Sequence, residues 1–288
     1  MSDGRLLLPV ANPETAERLL DTAIDVARDR ALEVLVVHVI EVPVQLSLAQ
    51  ARQSLDAEPG ASVVEETVDR ARAHGVEAAG RVRFGRDVAT SLVNLIERDE
   101  VATALVGWRG RPRRRDVVLG SYIDAVLADA DCDVLVKRID RERGDVSSVL
   151  VPVAGGPHTE LAAETAGAIA RGRGATVELA TVVSPDADEA AVDDARAMLT
   201  RTSPTLGAVE TVTETVLRGD DVVETIVERA ADHDATVLGA GGGGLFHRVL
   251  VENVPERVAR EVDGAVVMVK RPESVSRALW RRLAERIR

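Results

Sequence analysis

A glycine-rich stretch with a regular spacing is the clearest candidate for chemistry in this sequence. Residues 107–121 read GWRGRPRRRDVVLGS, so Gly107 and Gly110 are followed, after nine further residues, by Gly120 and Ser121. Glycine lets the backbone approach a ligand with its N–H groups exposed, and the free N–H groups at a helix N-terminus attract phosphate. We therefore predict a phosphate-binding loop. The alternative is a tight strand-to-helix turn in which Ser121 is an ordinary helix cap.

A second stretch, residues 239–253, repeats the pattern in part and reads GAGGGGLFHRVLVEN. Gly239 and Gly242 keep the first spacing, but Glu252 and Asn253 occupy the last two places. Asn253 remains a good helix cap, whereas Glu252 would bring a carboxylate and a Cβ to the position of a phosphate. We expect a vestigial second site that keeps only its structural role.

The first loop also carries five arginines, within residues 109–115. Arginine guanidinium groups bind phosphate and carboxylate oxygens in pairs, so these side chains could clamp an anion. A solvated loop on an acidic protein explains the same arginines equally well. The sequence leaves both interpretations open.

Composition restricts the classes of partner. The chain of 288 residues has a net charge of −12 and an aromatic content of 2%, which argues against nucleic-acid binding and base stacking. Only Lys137 and Lys270 are lysine among 36 basic residues, and the rest are arginine. Such an acid-rich, lysine-poor composition suits a salt-rich cytoplasm. We expect a halophilic source, although GC-rich coding also favours arginine over lysine.

Several other features predict a cytoplasmic protein that is not an enzyme. Cys132 is the single cysteine, so an intrachain disulfide is excluded, and no Cys/His cluster has the spacing of a metal site. The N-terminus lacks a signal-peptide pattern, and there is no uninterrupted apolar run of about 18 residues. No nucleophile elbow, Walker lysine or zinc-protease motif is present.

The elements that would position the glycine loops occur twice. RLLLPVANPETAERLLDTAIDVAR, near residue 5, returns as SVLVPVAGGPHTELAAETAGAIAR, near residue 148. A period of about 140 residues is the size of a duplicated domain. We predict domains at residues 1–140 and 147–271, joined by a short polar linker.

Strands and helices alternate within the first copy. Continuous apolar runs predict strands buried on both faces of a parallel sheet. The predicted strands are Leu6–Val10, Leu32–Ile40, Ala78–Phe84, Thr103–Val106 and Val134–Lys137. The predicted helices start at Pro13 after an Asn12 cap, at a Ser62–Glu65 capping box, at Val88 and at Ser121. This order predicts two five-stranded α/β domains, each with a ligand site beyond the carboxyl ends of its strands.

The glycine spacing, the LPVANPETAERLL opening, the His38-Val39 strand end and the CDVLVKR closing strand together resemble the universal stress protein family. The resemblance implies a fold of the adenine nucleotide alpha hydrolase-like, Rossmann-like type. It also implies that Gly107, Gly110, Gly120 and Ser121 hold the phosphates of ATP or another adenine nucleotide. Val10 and Val39 would complete this cofactor site, with Val39 against adenine, and the only metal would be magnesium bound with the nucleotide.

One expected anchor is missing from both copies. Members of the family that bind ATP carry an aspartate directly after the first strand, and this chain has Ala11 and Ala154 there. Losing one nucleoside hydrogen bond costs about 1 to 3 kcal/mol, which corresponds to a tenfold to hundredfold weaker complex. The resemblance therefore implies weak or altered nucleotide binding.

The same resemblance implies that the two domains pair through their last strands, Val134–Lys137 and Val266–Val269, and that two chains can form a homodimer. Residues 274–288 predict a basic amphipathic helix, either bound to an anionic membrane or a partner, or packed on its own acidic domain. An alternative function is a nucleotide-independent interaction module, for example a cytoplasmic regulator of a membrane transporter.

Overall fold

The computed structural model describes residues 4–109, 121–140, 144–240 and 254–272. We call residues 4–140 the first lobe and residues 144–272 the second lobe. The first lobe contains β1 (Arg5–Pro9), α1 (Pro13–Asp29), β2 (Glu33–Glu41), α2 (Leu48–Ser54), α3 (Glu58–Ala73), β3 (Ala78–Gly85), α4 (Val88–Arg98), β4 (Val101–Trp108), α5 (Ser121–Asp129) and β5 (Asp133–Arg138). The second lobe contains β6 (Ser148–Pro152), α6 (Pro157–Arg173), β7 (Thr176–Val183), α7 (Glu189–Thr202), a 3-10 turn (Ser203–Leu206), β8 (Val212–Arg218), α8 (Val222–Ala230), β9 (Ala235–Gly239), α9 (Val254–Glu261) and β10 (Ala265–Lys270).

Local sequence signals explain most element boundaries. The Asn12 side chain accepts a hydrogen bond from the Thr15 N–H, 2.9 Å away, so α1 begins as predicted. The predicted capping box at Ser62 is wrong, because α3 already begins at Glu58, with a proline in its first turn. Proline has no N–H to leave unpaired at a helix start, so it favours the earlier beginning.

The ten strands form one sheet in the order β3-β2-β1-β4-β5-β10-β9-β6-β7-β8. Within each lobe the five strands are parallel, and the lobes meet where β5 pairs with β10 in the antiparallel sense. Lys137 lies opposite Val267 in this pairing, and Val134 lies opposite Lys270. The predicted five-stranded α/β domains and their pairing through the last strands are thus confirmed.

Helices cover both faces of the sheet. α1, α3, α6 and α7 pack on one face, where Leu8, Val36 and Leu161 belong to a single apolar cluster that spans both lobes. α4, α5, α8 and α9 pack on the other face around a second shared cluster that includes Trp108 and Leu238. Because each cluster crosses the lobe boundary, the two lobes share their cores.

Reciprocal contacts hold the lobes together at this seam, the β5–β10 pair with its flanking helices. The Arg138 guanidinium donates to the carbonyl oxygens of Ala259 and Gly264 in the second lobe, at 2.5 Å each. The Lys270 ammonium donates in turn to the Leu127 carbonyl of the first lobe. Each cation therefore binds main-chain carbonyls of the opposite lobe, two of which belong to the last turns of α5 and α9, where carbonyls lack helical partners.

Candidate functional site at the carboxyl edge

The structure brings the described members of the predicted site to one edge of the first lobe. Val10 directly follows β1, Val39 lies near the end of β2, and Gly107 lies near the end of β4. The strand order of the lobe reverses between β1 and β4, which is where ligands bind in sheets of this type. Ser121 is the first residue of α5, as predicted, whereas Gly110 and Gly120 lie outside the described residues.

Val10 shapes this edge through its backbone. Its side chain is buried in the core, and its N–H donates to the Val37 carbonyl at 2.9 Å. Its carbonyl lies 2.9 Å from Nδ1 of His38. Val10 therefore offers no unused N–H to a ligand.

His38 is part of the edge, although sequence reasoning gave it no role in the site. Its ring lies against α3 at Gly60, where an added Cβ would be 2.3 Å from the ring Cδ2 atom. The glycine is therefore required for α3 to pack over the end of β2. The sequence signal that marks this position is a histidine within the apolar run from Val34 to Ile40.

A tyrosine ties the two described ends of the glycine loop together. The Tyr122 hydroxyl, in the first turn of α5, donates to the Gly107 carbonyl at 2.7 Å. Burial raises the pKa of Tyr122, which keeps the hydroxyl protonated as a donor. The end of β4 and the start of α5 are thus fixed relative to each other, so the backbone on either side of residues 110–120 is held in place.

Gly107 faces side chains of its own lobe. A Cβ at this position would lie 2.9 Å from Cδ1 of Ile139 and 3.4 Å from Cδ1 of Leu19. Both neighbours are the ends of flexible side chains. The first turn of α1 therefore does not close directly on the strand at this point.

The second lobe is closed at the equivalent place. A Cβ at Gly239 would lie 2.7 Å from the carbonyl carbon and oxygen of His158 and 2.9 Å from the Thr159 nitrogen. The first turn of α6 thus packs its backbone directly on β9. Two glycines with positive φ, Gly155 and Gly156, precede this turn and allow the approach. Gly242, Glu252 and Asn253, on which the predicted vestigial site rests, lie outside the described residues.

The rim of the first-lobe edge carries opposite charges. Arg109, whose side chain is 60% exposed, lies 3.8 Å from the Glu14 carboxylate in the first turn of α1. Of the five loop arginines, it is the one that the structure describes. Ala11 and Ala154 are both exposed, so neither lobe places a carboxylate directly after its first strand.

The described residues show neither a metal site nor a membrane-spanning helix. They contain no group of three or more His, Cys, Asp or Glu side chains arranged to hold a metal ion. No helix among them is both long and apolar enough to cross a membrane. The predicted basic helix at residues 274–288 lies outside this part of the chain.

Comparison with known proteins gives a family match across both lobes. The sequence model of the Universal stress protein family matches residues 4–138 and again residues 146–270. A solved universal stress protein from Archaeoglobus fulgidus has a similar fold, with a TM-score of 0.67, 20% identity and coverage of 94% of this chain and 100% of that one.

Two transport proteins are also similar. The cytoplasmic domain of a prokaryotic cation chloride cotransporter shares the fold, with a TM-score of 0.61, 14% identity and coverage of 96% of this chain and 99% of that one. The Na(+)/H(+) antiporter NhaS5 of Synechocystis sp. is 23% identical over 277 residues, which is 93% of this chain and 38% of the antiporter. The chain therefore spans well under half the length of that relative.

Proposed function

This chain belongs to the universal stress protein family, and from that premise we propose that it is a non-enzymatic regulatory module with one adenine-nucleotide site. The first lobe would bind the nucleotide at the carboxyl edge formed by Val10, Val39 and Gly107, with Gly110, Gly120 and Ser121 on the phosphates. The second lobe would have a structural role. Its β10 strand would cover the edge of β5, and its side chains would complete the two apolar clusters that both lobes share.

The difference between the two glycine positions carries this proposal. Gly239 is in contact with the backbone of α6, so an atom of a ligand cannot lie between that strand and helix. At Gly107 the three nearest atoms belong to the Ile139 and Leu19 side chains, and none of them is a backbone atom. Tyr122 holds the loop ends in place at the first-lobe site, and such preorganisation reduces the entropy lost on binding.

The charges at the edge indicate how the site would treat the nucleotide. Arg109 supplies a cation next to the loop, whereas Ala11 supplies no polar group for the nucleoside. We expect the phosphates to contribute more of the affinity than the ribose. ATP should therefore bind more tightly than adenosine, and the difference should shrink at high salt because exposed charges are screened.

A calorimetric titration of the nucleotide-free protein with ATP and AMP tests the proposal. Gly120→Glu copies the second-lobe residue into the first loop and should abolish saturable binding by placing a carboxylate at the phosphate position. Glu252→Gln, at the equivalent second-lobe position, is the matched control and should leave binding unchanged. Equal binding by wild type and Gly120→Glu would contradict a first-lobe site.

A second candidate function is a nucleotide-independent module that regulates a membrane transporter. Its support is the alignment of 93% of this chain with part of a Na(+)/H(+) antiporter. The absence of a carboxylate after either first strand also favours it, since a nucleoside then has one anchor fewer. Residues 274–288 would supply the contact, and both homodimer formation and a cytoplasmic location remain predictions.

Co-purification with the membrane domain of such an antiporter, expressed in the same cells, tests this second candidate. The complex should form without nucleotide and should be lost when residues 274–288 are deleted. An intact complex after the deletion would show that the tail is not the contact. Failure of the full chain to co-purify would count against this function.

A further inference from the structure

A charged cavity of about 490 Å³ lies at the seam between the lobes, next to the carboxyl edge of the first lobe. One wall is the outer side of α1, and the others are the end of β5, residues 144 and 146 after the first lobe, the end of α6 and the start of β10. Val10, Val39 and Gly107 are not among its lining residues. The cavity shares Glu14 with the rim of that edge, so it adjoins the proposed nucleotide site without including these three residues.

The cavity has a basic interior and an acidic rim. Of the lining cations on the Lys137 face of the sheet, the Arg18 side chain is 19% exposed and that of Arg173 is 20% exposed. Among its carboxylates, Glu14 is 58% exposed and Asp21 is 63% exposed. Water screens the rim carboxylates, so the interior of the cavity attracts a negatively charged group.

Lys137 is an unusual residue for this position. It is one of two lysines in a chain with 36 basic residues. In the first lobe, Gly107 of β4 lies opposite Lys137 of β5 in the strand register, and in the second lobe Gly239 of β9 lies opposite Val269 of β10. The second lobe therefore has a buried valine in the place of Lys137. An apolar side chain therefore satisfies the fold there, and the amine of Lys137 must be explained in another way.

The ammonium group of Lys137 has little compensation within the protein. Nζ donates to the Thr22 hydroxyl at 2.9 Å, and no described carboxylate forms an ion pair with it. Asp21 and Asp25 on α1 attract the ammonium, but both carboxylates lie beside Arg173, at 3.8 Å and 2.7 Å. A half-buried cation whose one hydrogen-bond partner is neutral is costly, and a ligand oxyanion would supply the missing charge.

The surrounding charges agree with this interpretation. Burial, together with repulsion from Arg173 and Arg18, lowers the pKa of Lys137 to about 8 against the attraction of Asp21 and Asp25. The negative charge of an anion bound beside Nζ would raise the pKa of Lys137 again. Its binding should therefore be coupled to proton uptake by the amine.

We propose that the seam cavity binds a small oxyanion, a phosphate or a carboxylate, with Lys137 as its anchor and Arg173 as a second cation. A compact ammonium suits a phosphate or carboxylate oxygen as a point charge. The acidic rim disfavours extended polyanions, which selects small ligands. Because the cavity contacts both lobes, an anion there would also stabilise the seam.

The scarcity of lysine makes this proposal directly measurable. Protein grown with ¹³C-lysine has two Cε signals, and Lys137→Met assigns them by removing one. The full-length protein is titrated with inorganic phosphate and, separately, with sodium acetate at constant ionic strength. We expect the Lys137 signal to shift in a saturable way while the Lys270 signal stays in place, and its titration midpoint to move upward from about 8.

The two anions distinguish the source of the oxyanion. A response to phosphate alone assigns a phosphate ligand, and a response to acetate assigns a carboxylate ligand. Calorimetry should show binding at least tenfold weaker in Lys137→Met, and also weaker in wild type at pH 9.5 than at pH 7. Gly120→Glu should keep the response, since it alters the other site.

Either of two results would overturn the proposal. One is the absence of a saturable shift with both anions. The other is equal calorimetric binding by wild type and Lys137→Met, which would place the anion elsewhere. Lys137→Met should fold, because Val269 fills the equivalent place in the second lobe, and unchanged circular dichroism verifies this.

Discussion

Replacing Arg138 with methionine should weaken the joint between the two lobes. The Arg138 side chain is 2% exposed and lies on the face of the sheet opposite to Lys137. Its guanidinium binds two main-chain carbonyls of the second lobe, at Ala259 and Gly264, and lies 3.4 Å from Asp140. Methionine fills a similar volume but donates no hydrogen bond, so the change isolates the polar contacts.

The magnitude follows from these contacts. A hydrogen bond from a charged donor contributes about 1.5–3 kcal/mol, so two of them contribute about 3–6 kcal/mol. Removing the guanidinium also relieves the cost of keeping a cation out of water, which offsets part of the loss. We expect the free energy of unfolding to fall by about 2–4 kcal/mol.

Urea denaturation at pH 7, followed by circular dichroism, measures this loss. Arg196→Met is the matched control, because Arg196 is 65% exposed and, among the described residues, pairs only with Asp193 in the adjacent helical turn. That control should change the free energy of unfolding by less than about 0.5 kcal/mol. An Arg138→Met protein as stable as the control would refute the assignment of Arg138 as a seam contact.

Three further predictions concern Lys137, Gly239 and Glu178. Burial is the largest cause that lowers the pKa of Lys137 from 10.5 to about 8 in the folded protein. The unfolded chain therefore binds this proton more tightly than the folded protein does, and the free energy of unfolding of wild type should rise between pH 8 and 10.5. The free energy of unfolding of Lys137→Met should therefore exceed that of wild type by up to about 3 kcal/mol at pH 7 and by little at pH 10.5, as measured by urea denaturation at both pH values. Gly239→Ala should destabilise the protein by about 1–3 kcal/mol more than Gly107→Ala, because its Cβ meets backbone rather than side-chain ends; melting temperatures of the two variants test this. Burial opposes ionisation of Glu178, but hydrogen bonds from Arg229 hold the pKa of this carboxylate below its usual value, so the pair stabilises the protein above about pH 4.5. Glu178→Gln should lower stability at pH 7 and lose its effect near pH 2, and an equal effect at both pH values would contradict this.

Local signals predicted much of the fold. The Asn12 cap with Pro13 starts α1 as expected, and Val88–Arg98 is a helix with the predicted bounds. In both cases the residues that determine the element lie within it or next to it. The helix Leu48–Ser54 was not predicted, because it is short and has a single buried residue, Ala51. Its apolar spacing therefore gives no signal.

Less of the candidate site than of the fold could be predicted from the sequence. The placement of Val10, Val39 and Gly107 at one edge followed from the parallel order of the strands. The contact of Tyr122 with Gly107 joins residues 15 apart across a loop, and the closing of α6 on Gly239 joins residues about 80 apart. Such contacts depend on how helices sit on the sheet, which spacing along the chain does not encode.

The number of adenine nucleotides bound per chain tests the central claim most directly. Equilibrium dialysis of the nucleotide-free protein against labelled ATP, at saturating concentration and high salt, gives this number without assuming an affinity. We predict one nucleotide per chain, bound by the first lobe. Two per chain would show that the second lobe is also a working site, and none would show that the module acts through its surfaces alone.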